Sequence, residues 1–530
     1  MIFVLMWWEF SLRWSDHQQL RILGEFNVAL ARSFGAVVSG VSGHLVRVEV
    51  DHSRGLPTVG LVGLPDASVI ESKHRSKTAI MNSGLSWPRG RVTISLSPAE
   101  LRKHGAGLDL AIAMGILGAT GQIAIEHIAN TVFVGELGLD GSVRAVPGAL
   151  PSVIAAAQAG VNSVIVPPGN LVQCQIVPTT RAVACLDLNH VIAYLRGERE
   201  PLHAENSATF SADELTDLSD VLGQDEARWA LEVAAVGRHN MFMIGSPGVG
   251  KTLLAHRISG ILPPLRQEEI LEATAIHSVA GPSVCNQPIT RPPFEAPHHS
   301  ATMAALMGSV HGHKVTPGAM TRAHHGVLFL DEAPEFSRNA LEALRQPLES
   351  GQVALSRSSW TGSLPAKFQL LLVANPCPRG NALTDTVKAC ECTSMALRKY
   401  AVQVSGPLRD RIDINVLIPG VRSMAVGESS DIVRERVIAA REAASRRFAE
   451  FPWATNSEIS ATLLRTKFRP ESEGNDLLNT YVGNSSGLRG SHRALRVAWS
   501  LADLADRKRP TKDDVALAIH LRNSELAMAA

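Results

Sequence analysis

Residues 245–252 read Gly245-Ser246-Pro247-Gly248-Val249-Gly250-Lys251-Thr252, which fits G-x-x-x-x-G-K-[ST] without a mismatch. The chemistry this spacing offers is phosphate binding. The glycines let the backbone curl so that N–H groups point at phosphate oxygens, and a helix N-terminus adds partial positive charge. Lys251 would reach the β- and γ-phosphates, and Thr252 would offer its hydroxyl to Mg²⁺. About eighty residues on, Gly326-Val-Leu-Phe-Leu-Asp331-Glu332 ends an apolar run in two carboxylates, the Walker B pattern. Asp331 would hold Mg²⁺, and Glu332 would orient and deprotonate the attacking water. A third run, Leu370-Leu-Leu-Val-Ala-Asn375, ends in an amide that could position the same water.

These residues need elements to hold them. Met241–Ile244 suits a buried parallel strand, and Leu253–Ile258 can open a helix. The Gly326–Leu330 run is expected as a neighbouring parallel strand, with its carboxylates at the edge where ligands bind in open α/β sheets. Val221-Leu-Gly-Gln224-Asp225 precedes a helix over 226–236, either to hold adenine or simply to start the domain. Residues 263–325 are rich in Pro, Gly and His and too long for a mere connector. They carry His298-His299 and His324-His325. No Cys or carboxylate set completes a tetrahedral metal site there, so hydrogen bonding in the nucleotide cleft is the favoured reading. Glu335 to Leu348 reads as one helix. Gln352–Arg357 and Leu364–Leu370 read as a hairpin bearing Arg357, Trp360 and Lys367, turning over 358–363.

With 530 residues the chain has room for two to four domains. A net charge of +1 does not mark a nucleic-acid binder, so any DNA contact must be local. Six unevenly spaced cysteines make no disulfide framework and suit a reducing cytoplasm. No apolar run reaches membrane-spanning length, so no membrane partner is expected. Residues 1–24 are apolar but interrupted by Glu9 and Arg13, and read as a fraying extension rather than a signal peptide. From Phe26 to about Leu195, short β-rich runs (45–50, 58–62, 91–96, 131–134 and 163–166) alternate with helical ones, a mixed α/β pattern. Asp66 can cap a helix, and Thr511 with Asp514 can make a capping box.

Val134-Gly-Glu-Leu-Gly-Leu-Asp140-Gly-Ser-Val-Arg144-Ala-Val-Pro-Gly148 resembles a stretch of Lon-protease domains. Those domains use a Ser–Lys dyad. Here the serine region reads His104-Gly-Ala-Gly107 and the lysine position falls near Leu150, so the fold is expected without proteolysis. Lys103 and Lys73 are expected to be surface charges.

Further stretches carry a wider resemblance: Gly63–Asp66, Ala296–Ser300, Pro334-Glu335-Phe336, Leu344–Glu349, Asn375–Pro378 and Ser405–Leu408. Over about 26–523 the chain resembles magnesium-chelatase-like AAA+ proteins of the YifB/ComM type. The resemblance implies an α/β chain: an inert Lon-like domain at 25–197, a linker at 198–218, a P-loop AAA+ core with a parallel sheet at 219–420, and a helical lid at 421–530. It further implies ATP and Mg²⁺ as cofactors, a homo-hexamer and DNA as partner. By the same resemblance Arg411 looks like an arginine finger, and Arg489 in Ser486-Gly-Leu-Arg489 like sensor 2. Family members often carry Cys-Pro-Cys-Gly and a second Cys pair. This chain has Cys377-Pro-Arg379-Gly with Cys390 and Cys392, and three thiols leave a structural zinc doubtful. An ATP-driven DNA motor is the leading expectation, and a chelatase-type ATPase that remodels a protein partner is the alternative. The missing dyad opposes a protease. Intact Lys251, Asp331 and Glu332 oppose a non-hydrolysing interaction protein.

Overall fold

The computed structural model describes residues 29–203, 217–280, 287–357, 360–379, 390, 392–420, 424–482 and 487–523. The extension at 1–24 and positions 204–216 of the linker lie outside them.

The N-terminal strands are β1 (Ala29–Ser39), β2 (Ser42–Ser53), β3 (Thr58–Val62), β4 (Arg91–Ser97), β5 (Thr131–Phe133), β6 (Glu136–Leu137), β7 (Val143–Arg144), β8 (Ser163–Val166) and β9 (Arg181–Ala184). Seven form one mixed sheet in the order β3-β4-β2-β1-β5-β8-β9, and β6 and β7 pair separately. Alternation along β2 puts Val46, Val48 and Val50 fully inside. Helix Asp109–Ala119 is buried at every residue, so one face of the sheet is covered by an almost wholly apolar helix. Its first residue is the exception. Asp109 is fully buried and takes Arg75 Nε at 2.6 Å and Nη2 at 3.0 Å, with the Leu137 N–H at 3.2 Å. Asp66 caps helix Ala67–Asn82 through Val69 N at 2.9 Å. Lys103 corrects the expectation of a surface charge. It is fully buried, because its backbone bridges Leu64 and Asp66 and its ammonium is drawn to the Pro98 carbonyl.

The next strands are β10 (Met241–Gly245), β11 (Phe294–Glu295), β12 (Gly308–His311), β13 (Lys314–Pro317), β14 (Val327–Leu330), β15 (Gln352–Arg357), β16 (Trp360–Pro365), β17 (Gln369–Ala374) and β18 (Ile414–Ile418). Five make a parallel sheet ordered β11-β14-β17-β10-β18. β10, β14 and β17 are buried throughout, as strands covered on both faces must be. The carboxylate-bearing strand β14 is therefore not the neighbour of β10. β17, which Asn375 directly follows, lies between them. One face packs on helix Asp225–Gly237 and the C-terminal helices Ser430–Arg447, Gly487–Leu504 and Lys512–Asn523. The other packs on Phe336, Leu341 and Leu344. The expected single helix over 335–348 is broken into Arg338–Ala343 and Arg345–Ser350 after a short turn at Ala333–Glu335. Among the described residues no helix is long and apolar enough to cross a membrane.

The expected hairpin forms with a shifted second strand. Arg357 pairs with Trp360 and Gln352 with Pro365, so the strands are joined by two residues, not six, and Lys367 falls beyond the base. Lys367 comes seven residues after Trp360, the partner of Arg357, a reach of ~23 Å if extended throughout. Trp360 does not face open space. Its indole N–H donates to Ser39 Oγ at 3.0 Å, and a Cβ on Gly40 would meet its ring at 3.1 Å. β15–β16 thereby ties the parallel-sheet unit to the N-terminal sheet. Gly148 N to Ser278 O, at 2.8 Å, is a second tie.

Breaking the Arg75–Asp109 pair leaves a guanidinium without its partner beside a buried helix. Asp109→Ala should destabilise the N-terminal sheet by about 3 kcal/mol. Hydrogen exchange would read this as lost protection in helices Ala67–Asn82 and Asp109–Ala119, with helix Gly487–Leu504 unchanged.

Candidate nucleotide site

The P-loop leaves the C-terminal end of β10 and closes on helix Lys251–His256. Gly248 and Gly250 take φ of 80° and 89°, which a side chain would resist, and a Cβ at either meets nothing within 4 Å. That open cradle fits phosphate. Lys251 is 7% exposed and turns back on the loop, its Nζ donating to Gly245 O at 2.7 Å, Ser246 O at 2.8 Å and Asn375 Oδ1 at 3.1 Å. Burial lowers its pKa, while Asp331 and Glu332 oppose that shift. Thr252 Oγ1 donates to Asp331 Oδ2 at 2.8 Å. The two residues expected to hold Mg²⁺ are therefore already in contact.

Glu332 sits at φ 50°, left-handed for a non-glycine residue, with its N–H held by Asp331 Oδ1 at 2.9 Å. Its carboxylate stands 3.3 Å from His299 Nδ1. The structure thus gathers Lys251, Thr252, Asp331, Glu332 and Asn375 at one sheet edge and adds His299. The first histidine pair was legible as cleft residues, but the pairing of His299 with Glu332 was not. Tyr400 had no sequence signal. It is 8% exposed, and burial, with Glu335 nearby, pushes its phenol up. Gln224, also left-handed, donates to Pro419 O at 2.9 Å and so braces the segment ahead of helix Asp225–Gly237.

The second histidine pair corrects the cleft expectation. His324 and His325 both point their Nε2 at Glu272 Oε2, at 3.0 and 2.6 Å. These three residues bring potential ligand atoms within 4.8 Å of one another. A metal does not suit them. The Lys367 N–H donates to His324 Nδ1 at 2.9 Å, so in neutral His324 the proton is on Nε2, where a ligand would need a lone pair. Burial pushes His324 down to about 4, which keeps it neutral, and the two imidazoles hold Glu272 well below the usual carboxylate range.

Arg411 and Arg489 are not brought to Lys251. β18 runs parallel to β10 with Ile414 beside Met241, so Arg411 lies at the sheet edge opposite the P-loop. It is 8% exposed, bonded to Pro407 O and paired with Glu349. Arg489 is exposed in the first turn of helix Gly487–Leu504. One turn on, Arg493 pairs with Asp413 at 2.7 Å, again at that far edge.

Cys377, Cys390 and Cys392 lie within 4.8 Å of one another, with Cys390 Sγ 3.7 Å from Cys377 Sγ. That spacing suits a thiolate-bound metal, but among the described residues no fourth ligand completes a closed zinc site. Where the resemblance places the serine region, a cavity of about 530 Å³ is lined by Gly107, Gly148 and Ser152. A Cβ at Gly107 would meet nothing nearer than Ala36 O at 3.9 Å, so space for a serine is present and the hydroxyl is not.

Three family models match in succession: subunit ChlI of magnesium chelatase at 48–170, the magnesium chelatase subunit ChlI at 217–426, and its C-terminal part at 427–522. An uncharacterised Mycobacterium tuberculosis protein is 46% identical over 94% of this chain and 99% of its own. Uncharacterised YifB of Escherichia coli is 38% identical over 88% and 91%. Competence protein ComM of Haemophilus influenzae is 36% identical over 90% and 94%. A 54-residue stretch is 43% identical to an archaeal Lon protease of Archaeoglobus fulgidus, over 10% of this chain and 9% of that one.

The geometry separates binding from turnover. Lys251→Ala should lose nucleotide affinity, while Glu332→Gln keeps it and loses hydrolysis. Asn375→Ala should lower turnover about 10²-fold with little change in affinity, as for loss of one preorganised polar group. Equilibrium binding and steady-state hydrolysis of ATP decide both. Unchanged turnover in Glu332→Gln would refute the Walker B assignment.

Proposed function

Because this chain belongs to the magnesium-chelatase-like family of YifB and ComM, we propose that it is an ATP-hydrolysing AAA+ motor that works as a ring, most simply a hexamer, on DNA. The contact of Lys251 with Asn375 beside Thr252–Asp331 carries the ATPase reading. As phosphate enters, Lys251 exchanges its carbonyl acceptors for phosphate oxygens. Thr252 and Asp331 hold Mg²⁺, which would neutralise charge on the transferring phosphoryl group. Glu332 takes a proton from the lytic water, Asn375 orients it, and His299 holds the Glu332 carboxylate in place. Arg411 then serves a neighbouring chain, since the sheet separates it from its own P-loop. Arg489, at the same edge, fits the same role.

The DNA part rests on the likeness to ComM, a competence protein by name. A DNA contact from the β15–β16 hairpin would fall to Arg357, which is exposed, because Trp360 is engaged by Ser39. The chelatase-type alternative draws on the ChlI family models. ATP hydrolysis measured with single-stranded, duplex and branched DNA separates the two. Stimulation by DNA is the expected result, and stimulation by a protein partner alone would favour remodelling.

Arg411→Ala and Glu332→Gln should each be inactive alone. Mixed, they should regain part of the activity, because some interfaces pair an intact arginine with an intact base. Sizing must show intact assemblies. Mixtures that assemble yet regain nothing would refute action across subunits.

A further inference from the structure

At the sheet edge opposite the P-loop, the C-terminal helices leave a cleft of about 340 Å³ that joins a second of about 440 Å³; both include Arg238 and Lys367. Its lining joins the apolar Pro263, Pro264, Pro452 and Trp453 to charged residues of both signs. Among the described residues, Arg238, Lys367 and Arg441 make no ion pair. Arg238 Nη2 and Arg441 Nε donate only to carbonyls, Lys367 O at 3.0 Å and Ala235 O at 3.0 Å. The acids of the lining make their close contacts with other groups: Glu269 with Arg266 at 3.1 Å, Glu442 with Arg446 at 3.8 Å and Glu458 with Thr455 at 2.8 Å. Burial, with Arg238 adding repulsion, pushes Arg441 down to about 9.

Trp453 and His325, which both line this cleft, each carry a buried ring nitrogen without a hydrogen-bond partner among the described residues, Nε1 and Nδ1. The His325 side chain is only 9% exposed, with Glu269 3.7 Å away. Arg238 and His325 are also held left-handed, at φ 55° and 60°. Such backbone persists only where the surroundings impose it, and it gathers at ligand clamps. Unpaired cations in a half-buried site carry a desolvation cost that an anion would offset. Several donors converging on one space call for a ligand with several acceptor oxygens, and a fork of guanidinium donors suits phosphate.

We propose that this cleft, bounded by Arg238, Lys367, Arg441 and Trp453, is a second anion site, taking an oligophosphate ligand, either a nucleotide or pyrophosphate alone. It is independent of the P-loop reading. Arg441 and Lys367 hold phosphate oxygens, and the Pro–Trp wall has room for a base.

The test uses full-length Lys251→Ala protein, in which P-loop binding is removed, titrated calorimetrically with pyrophosphate and separately with ADP. Pyrophosphate should bind and change Trp453 fluorescence. Lys367→Gln, at an exposed position, and Arg441→Gln should each weaken binding about tenfold, the loss expected for one charge-assisted contact. Trp453→Phe should keep the affinity and abolish the optical change. ADP binding about tenfold tighter than pyrophosphate identifies a nucleotide site; equal binding identifies a phosphate site. No heat with pyrophosphate at millimolar concentration, or binding indifferent to both Lys367→Gln and Arg441→Gln, overturns the proposal and leaves the ATPase reading untouched.

Discussion

The hydrogen bond from Lys251 Nζ to Asn375 Oδ1 is the contact around which the parallel sheet is arranged. It requires β17 beside β10, and that adjacency displaces β14 one strand further. Asp331 still reaches Thr252, because the P-loop helix starts above the strand ends and brings the hydroxyl across. Burial of the lysine makes the arrangement exacting. A desolvated ammonium needs acceptors, and here two carbonyls and one amide oxygen supply them. The loop is thus held curled by the same donor that would later engage phosphate.

Much of this site was legible because its signals are local. Glycine spacing, an apolar run and a terminal carboxylate or amide are each set within eight residues of chain. What sequence could not reveal depended on distant partners. Trp360 read only as a residue of the expected hairpin, yet its partner Ser39 lies 321 residues away. His324 and His325 read as cleft residues, yet Glu272 claims them from 52 and 53 residues upstream. Lys103 read as exposed because lysines usually are, but its backbone is pinned between Leu64 and Asp66 and carries the side chain inward. Strand order was equally hidden, since apolar runs announce burial and not their neighbours.

Helix Gln267–Val279 connects these features. Near its start Glu269 binds Arg266, in its middle Glu272 holds the two histidines, and near its end Ser278 O takes the Gly148 N–H of the N-terminal sheet. Ala275 packs into the N-terminal core itself. One rigid rod therefore touches the cation cleft and the cavity of the N-terminal sheet. Such a rod can pass a shift at one end to the other only if it has two positions to choose between. The strained His325 beside it is the place where a ligand could supply that choice.

The two edges of the sheet divide the chemistry. Parallel strands send every C-terminal end to one side, so P-loop, Walker B carboxylates and Asn375 share an edge by construction. The opposite edge collects the starts of β17 and β18, and with them Lys367, Arg411 and Asp413. Asp413, only 2% exposed, is held far below the usual carboxylate range by Arg493 and His239 and so stays charged in spite of burial. Its charge balances one arginine. Arg411 is balanced by Glu349, while Arg238 and Arg441 have carbonyl oxygens as their acceptors. A fold does not leave cations desolvated in this way at no cost. The lack of an ion pair at Arg238, Lys367 and Arg441, among the described residues, is therefore the physical reason to look there for an anion the chain does not itself provide, whether it arrives as a small phosphate or on a neighbouring subunit.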